Sequence, residues 1–237
     1  MKILKVGGSV VTDKTRFESL KERNILSICN VISKSYRDLI LVHGAGSFGH
    51  PHVKKYGISS EIGAAKVHVA CLKLNNIICQ NLVDFGVPAF PIHPFEVFKK
   101  DGGEVSCDLD AIVSTLKFGL PVLHGDVIRS GSKFEVISGD DIVVFLAERL
   151  DAEKIGFACE TDILIDRKKV EIFKPSMLEK VGHAEGKIDV TGGMRSKIEK
   201  ILSMKLECDA YIFKGTPENV AKFLRGEVVG TRIVKGD

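Results

Sequence analysis

Tryptophan is absent from this chain of 237 residues, and its three tyrosines do not cluster. The six cysteines are scattered without a C-x-x-C pair and sit mostly in apolar runs. That pattern favours small buried hydrophobes over a disulfide framework or a zinc site. No apolar run approaches the ~18 residues of a membrane span. The first residues read as a short strand, not a signal peptide, so the expected location is the cytoplasm. Charge of one sign is also missing: the formal net charge is +3, with acids and bases interleaved. Nothing in that balance points to nucleic acid or a membrane surface. Repeats and low-complexity segments are lacking too.

What is present is ordinary globular composition, 44% hydrophobic and 27% charged, arranged as a strand–helix alternation. Strands are predicted over Lys2–Val6, Leu39–Val42, Pro88–Ile92, Pro121–His124, Lys154–Cys159, Ala210–Lys214 and Thr231–Val234. Helices are predicted over Phe17–Lys34, Glu61–Phe85, Leu109–Phe118, Asp141–Leu150, Gly193–Leu206 and Glu218–Leu224, with a small hairpin over Arg129–Ile137 turning at Gly131-Ser132-Lys133. Such alternation reads as βαβ units building a mainly parallel α/β sheet covered on both faces. Asp151-Ala152-Glu153 separates a helix from a new strand and marks a lobe boundary. Ligands of these sheets bind beyond the carboxyl ends of the strands, and the chemically suggestive residues fall there: Gly7, Gly8, Gly44, Gly46, Gly125, Asp126, Thr161, Asp162 and Gly215.

Two glycine-rich turns stand out, Lys5-Val6-Gly7-Gly8-Ser9 and His43-Gly44-Ala45-Gly46-Ser47-Phe48-Gly49-His50. Each follows an apolar strand, and turns rich in backbone N–H groups hold anions. Two phosphate-sized sites side by side imply phosphoryl transfer. Glycine lets the backbone approach a ligand closely. Lys5 and Lys14 add mobile point charges suited to a moving phosphoryl group, and a protonated His50 would add another donor. The plain alternative is a tight turn with solvated lysines. The first turn lacks the Gly-Lys-Ser/Thr ending of a Walker loop. The second fits G-x-G-x-x-G, but it follows the second strand, whereas a dinucleotide-binding fold carries that pattern after its first. Further along, Ser138-Gly139-Asp140-Asp141 places acids at a helix start, where Asp140 either caps the helix or orients a lysine or a magnesium ion. Thr161-Asp162 ends a strand. Asp189-Val190-Thr191-Gly192-Gly193-Met194 precedes Lys197 by a helical turn, another anion-ready N-terminus. Lys214-Gly215-Thr216-Pro217 either lines an adenine pocket or is a plain turn.

In this order, the motifs resemble the amino acid kinase superfamily across nearly the whole chain. Within it, Gly46-Ser47-Phe48-Gly49-His50, together with Lys14 in Thr12-Asp13-Lys14, resembles the archaeal-type isopentenyl phosphate kinases. His50 is the discriminating residue. The resemblance implies a three-layer α/β/α sandwich, one continuous structural domain with a phosphoryl-acceptor lobe over 1–150 and a nucleotide lobe over 151–237. It implies ATP and Mg2+ as cofactors, a homodimer, and transfer of the γ-phosphate to isopentenyl phosphate. By position, Lys5, Gly7, Gly8 and Ser9, with Gly46, would hold the transferring phosphate, and Lys14 would stabilise it in flight. Ala45, Gly46, Gly49 and His50 would meet the acceptor phosphate with Gly139 nearby. Asp162, Gly193 and Lys197 would serve the nucleotide, and Asp140 would orient a catalytic lysine. No protein metal ligand is implied. The chain departs from the family at Ala45, where glycine is usual, and at Thr161-Asp162-Ile163-Leu164-Ile165-Asp166, which lacks the family's turn glycine.

A phosphate monoester is already largely dianionic near neutrality, its second pKa being ~6, so its oxygen needs no general base. A histidine donor suits such an acceptor better than the acid an alcohol kinase uses. An apolar slot for the tail is expected on Glu61–Phe85, from among Val67, Val69, Cys71, Leu72, Leu74, Ile77 and Ile78, most of them core-facing. Competing readings are a kinase of another small phosphate or phosphonate such as fosfomycin, a uridylate kinase, a non-catalytic oligoanion-binding protein on the same fold, and a nicotinamide-dependent dehydrogenase.

Overall fold

The computed structural model describes residues 1–181 and 193–236. Strands β1 (Lys2–Val6), β2 (Leu39–His43), β3 (Ala89–Pro91), β4 (Phe98–Asp101), β5 (Glu104–Cys107), β6 (Leu120–His124), β7 (Asp126–Ser130) and β8 (Lys133–Ile137) occupy the first part. They are followed by β9 (Lys154–Cys159), β10 (Leu164–Ile165), β11 (Lys168–Lys169), β12 (Ile172–Phe173), β13 (Asp209–Lys214) and β14 (Thr231–Ile233). The helices are α1 (Gly8–Val11), α2 (Glu22–Ser33), α3 (His50–Tyr56), α4 (Glu61–Asp84), α5 (Pro94–Val97), α6 (Leu109–Leu116), α7 (Gly139–Arg149), α8 (Gly193–Ser203) and α9 (Pro217–Leu224).

Eight strands form the central sheet in the order β12-β14-β13-β9-β1-β2-β6-β3. Pairing is parallel throughout except between β13 and β14. The residues of β2, β6 and β9 are buried along their whole length, as parallel strands covered on both faces must be. One face packs Ile25, Ile28 and Ile32 of α2, Leu74, Ile78 and Leu82 of α4, and Val220 and Phe223 of α9. The other packs Ile112 of α6, Ile142, Val143 and Leu146 of α7, and Ile198 and Ile201 of α8. The mainly parallel sheet covered on both faces, expected from the alternation, and the α/β/α sandwich implied by the resemblance are therefore present. The turn at Asp151 lies between α7 and β9, but β1 sits between β9 and β2, so the sheet runs unbroken across that point.

Short elements such as α1, α3, α5 and β10–β12 were not predicted, and three larger differences bear on the site and the sheets. The helix predicted from Phe17 starts only at Glu22. Residues 13–19 instead form a loop whose base is closed by a Thr12–Leu20 bridge, and Glu18 is left-handed at φ 47°, which no helix tolerates. The hairpin begins at Asp126 and turns tightly between paired Ser130 and Lys133. A second sheet, β5-β4-β7-β8, was not anticipated. Its signal was Asp101-Gly102-Gly103, whose two glycines have φ 59° and 93°, a strong hairpin turn.

Candidate active site

The sheet changes winding direction at β1: β2 lies on one side and β9 on the other. A ligand crevice is expected at the carboxyl ends of such neighbours. There the two glycine-rich turns meet directly. A Cβ on Gly8 would lie 2.4 Å from the Gly46 nitrogen, and one on Gly44 would lie 2.6 Å from the Gly8 nitrogen. Gly46 has φ +51°, and a Cβ there would fall 2.0 Å from Thr12 Oγ1. At these positions the close approach that glycine permits is of one loop to the other, an unanticipated use. Thr12 fastens the joint: its hydroxyl donates to Gly8 O at 2.7 Å and accepts from Ser47 N at 2.9 Å. Sequence reasoning named Thr12 and Ser47 only as neighbours within the Lys14 and His50 motifs and gave neither a role. A Cβ on Gly49 would lie 2.5 Å from Ala45 Cβ, so the methyl of Ala45 occupies the space that Gly49 leaves.

Three helical starts converge on this joint. Gly8 opens α1, Gly46 opens a 3-10 turn (Gly46–Phe48) and Gly139 opens α7. First-turn N–H groups have no partner within their own helix and favour anions. A Cβ on Gly125 would lie 3.3 Å from Gly139 N and 3.7 Å from Ala45 N, so these backbones share one small space. Gly7 donates to Ala158 O at 2.8 Å, tying β1 to β9, and Ser9 O accepts from Lys21 Nζ at 2.7 Å.

Next to Gly139 lies a buried charge cluster. Lys5 Nζ, on β1, is 3.1 Å from Asp140 Oδ1, and Lys197 Nζ, on α8, is 2.5 Å from Asp140 Oδ2. Capping of α7 is done by Ser138, which accepts from Asp141 N, with Asp141 returning the bond to Ser138 N. Asp140 is thereby freed from the capping role that would have explained it. Burial would raise the Asp140 carboxyl, but Lys5 and Lys197 overcome it and hold it down at about 2. Burial works against Lys5 as well, and Asp140 more than offsets it, leaving its pKa raised. Lys197 is lowered, by burial first and then by the like charge of Lys5. Its ammonium also lies 5.3 Å from the Phe157 ring centroid. Two lysines thus share one carboxylate, and the cluster keeps a net positive charge.

His50 begins α3 and remains solvent-accessible. Desolvation, then Lys14 and Lys5, lower its pKa, so its imidazole is less readily protonated before an anion arrives than the sequence reading supposed. Lys14 itself is carried on the exposed loop after Thr12. Asp162 Oδ1 accepts from Lys214 N at 3.1 Å and pairs with Lys169 at 3.3 Å, so it links the ends of β9 and β13. Gly193 opens α8, whereas Asp189-Val190-Thr191-Gly192 lie outside the described residues. Among the described residues no group of three or more His, Cys, Asp or Glu is placed to hold a metal ion.

Beside the joint is a small apolar cluster. Val67 and Cys71 of α4 meet Val127 of β7, with Ala45, Val53, Ile58 and Phe95 packed against them. Of the other tail candidates, Leu74 and Ile78 belong to the main core and Val69 is exposed. The cluster has one polar wall, His68 Nδ1 at 2.7 Å from Asp126 Oδ2.

The profile of the amino acid kinase family matches residues 1–214. The chain belongs to that family. It is 40% identical to the isopentenyl phosphate kinase of Methanocaldococcus jannaschii, over 98% of this chain and 97% of that one. It is 35% identical to the isopentenyl phosphate kinase of Haloferax volcanii, over 99% and 98%. A solved structure described as "X-ray structures of isopentenyl phosphate kinase" superimposes with a TM-score of 0.82 at 30% identity, covering 99% of this chain and all of that one. A family kinase with two abutting glycine loops, and a positive cluster next to them, is arranged to bring one anion to another.

Proposed function

We propose that the chain transfers the γ-phosphate of ATP to isopentenyl phosphate, giving isopentenyl diphosphate. One observation carries the reading: the loop ending in His50 abuts the Gly8 loop, and Gly125 and Gly139 bring that joint next to the Lys5–Asp140–Lys197 cluster. Full-length relatives that bear the name of this activity support it.

In this reading the acceptor phosphate lies against Ala45, Gly46, Gly49, His50 and Gly139. The Gly8 loop, with Gly7 and Ser9, holds the transferring group. Its acceptor oxygen is already anionic, so His50 binds and orients it without removing a proton. The obstacle is repulsion: a pair of unit charges at about 4 Å repels by roughly 4 kcal/mol at an effective dielectric of about 20. Lys5, Lys14 and Lys197 offset that repulsion as charge builds between donor and acceptor, and Asp140 keeps two of them fixed. Asp162 and the start of α8 at Gly193 serve the nucleotide side, so the acceptor lobe is 1–150 and the nucleotide lobe 151–237. With no carboxylate cluster among the described residues, Mg2+ would be held chiefly by phosphate oxygens of the nucleotide, as is usual for this ion. The cluster of Val67, Cys71 and Val127 takes the isoprenoid tail. The enzyme works as a cytoplasmic homodimer.

A coupled ADP-release assay with ATP and Mg2+ tests this, offering isopentenyl phosphate, fosfomycin, UMP and acetylglutamate separately. Turnover with isopentenyl phosphate alone is expected. Turnover with fosfomycin alone, or with none of the four, refutes the acceptor assignment.

A further inference from the structure

Lys14 has to reach a phosphoryl group in flight, yet it sits on an exposed loop spanning residues 13–19. The base of that loop is secured by the Thr12–Leu20 bridge, by Asp13 N donating to Ser19 O at 2.9 Å, and by Ser47 Oγ, which contacts both Ser19 N and Ser19 O at 3.1 Å. In the outer part, Glu18 and Phe17 both reach His52. Glu18 Oε1 accepts from His52 Nε2 at 2.9 Å, and Glu18 Oε2 accepts from Lys73 Nζ at 2.5 Å. Phe17 stacks on the same His52 ring with centroids 4.2 Å apart. His52 is buried on α3, two residues after His50, and its Nδ1 has no hydrogen-bond partner among the described residues. The ring therefore spends its hydrogen bonding on Glu18 alone. Lys73 lies on α4, the helix that walls the apolar cluster.

Glu18 achieves this at a conformational cost. Its φ of 47° is left-handed, a region a side-chain-bearing residue enters only when its surroundings hold it there. Glycine would adopt that backbone without strain. A loop serving only to connect α1 with α2 has no need of a glutamate at this position, whereas a loop that must set Lys14 at a fixed distance from His50 does. After desolvation, Lys14 is among the positive charges that lower the His50 pKa.

We propose that Glu18 is a positioning residue, which clasps the Lys14 loop to α3 and α4 through His52 and Lys73 and so sets Lys14 over the acceptor phosphate. The inference rests on the role given to Lys14 above. Errors of about 1 Å in placing a catalytic group cost up to about 100-fold in rate, and the clasp is worth most in the transition state, where Lys14 meets moving charge.

Glu18→Gly tests this cleanly, because it removes the clasp while relieving the left-handed strain. The expected result is a kcat lowered about 10- to 100-fold, a nucleotide Kd unchanged, and a Tm only modestly below that of the wild type, because relief of the left-handed strain offsets part of the cost of leaving buried His52 unpaired. Glu18→Gln, whose carbonyl still accepts one of the two bonds, should recover part of the rate. The deciding measurement is the cycle with Lys14→Ala: in that background Glu18→Gly should cost nothing further. An unchanged kcat in Glu18→Gly, or an equal loss with and without Lys14, overturns the proposal while leaving the role of Lys14 intact. A Lys14→Ala variant with full activity overturns both.

Discussion

Replacing Asp140 with asparagine keeps the shape of the side chain and removes its charge. Lys5 and Lys197 are only 8% and 6% exposed, and their ammonium groups lie 3.1 and 2.5 Å from the two carboxylate oxygens. Removing one member of a buried ionic cluster costs about 3–5 kcal/mol, because uncompensated charge stays inside. For a chain of this size each kcal/mol moves Tm by about 2–4 °C, so a fall of about 6–20 °C is expected by differential scanning fluorimetry. A bound polyphosphate brings negative charge to the same lysines. ATP or a non-hydrolysable analogue should therefore raise the Tm of Asp140→Asn by more than it raises that of the wild type. The variant should also lose most of its kcat, since Lys5 and Lys197 no longer share a fixed centre. A Tm within 2 °C of wild type, or equal ligand-induced shifts in the two proteins, would refute the view that Asp140 is the counter-ion holding both lysines in place.

The same cluster sets an acid limit. Asp140 is held at about 2, below the ordinary value of 3.8, so its contribution is complete above the unfolded value and disappears as pH falls through the folded one. Acid titration followed by circular dichroism should show the wild type losing stability between about pH 4 and 2, and Asp140→Asn losing less there. His50→Gln should raise the KM for the acceptor by about 10- to 150-fold, the worth of a hydrogen bond to a charged group, with nucleotide affinity intact. Equal losses for both ligands in calorimetric titrations would remove His50 from the acceptor side. Gly46 and Gly131 both have positive φ, but a Cβ on Gly131 meets nothing within 4 Å, while one on Gly46 collides with Thr12 Oγ1 and Gly8 O. Alanine at 131 should therefore cost about 1–2 kcal/mol and alanine at 46 considerably more. Similar unfolding midpoints in urea would show that the two loops do not depend on close contact.

The layered α/β fold was legible because its signals are local. Apolar runs such as Leu39–Val42 and Lys154–Cys159 are long enough to be buried strands, and glycines or capping residues punctuate the helices between them. The hairpin and the added sheet were read less well: β4 is Phe98-Lys99-Lys100-Asp101, whose lysines hide a strand that only pairing with β5 and β7 stabilises. The predicted helix from Phe17 failed for a tertiary reason. Phe17 and Glu18 are drawn out of any helix by His52 and Lys73, residues far along the chain.

For the site, sequence alone determined the chemistry. Glycine turns after strands, lysines beside them, a histidine closing the second turn and an aspartate opening a helix are residue types that announce anions wherever they are placed, and they carried the family resemblance that the comparisons bear out. Tertiary structure alone decided the partnerships. Asp140 is 135 residues from Lys5 and 57 from Lys197, and no local pattern distinguishes an aspartate that caps its own helix from one neutralising two distant lysines. That choice was made when β1, α7 and α8 packed around one point and left the carboxylate no other way to satisfy its buried charge.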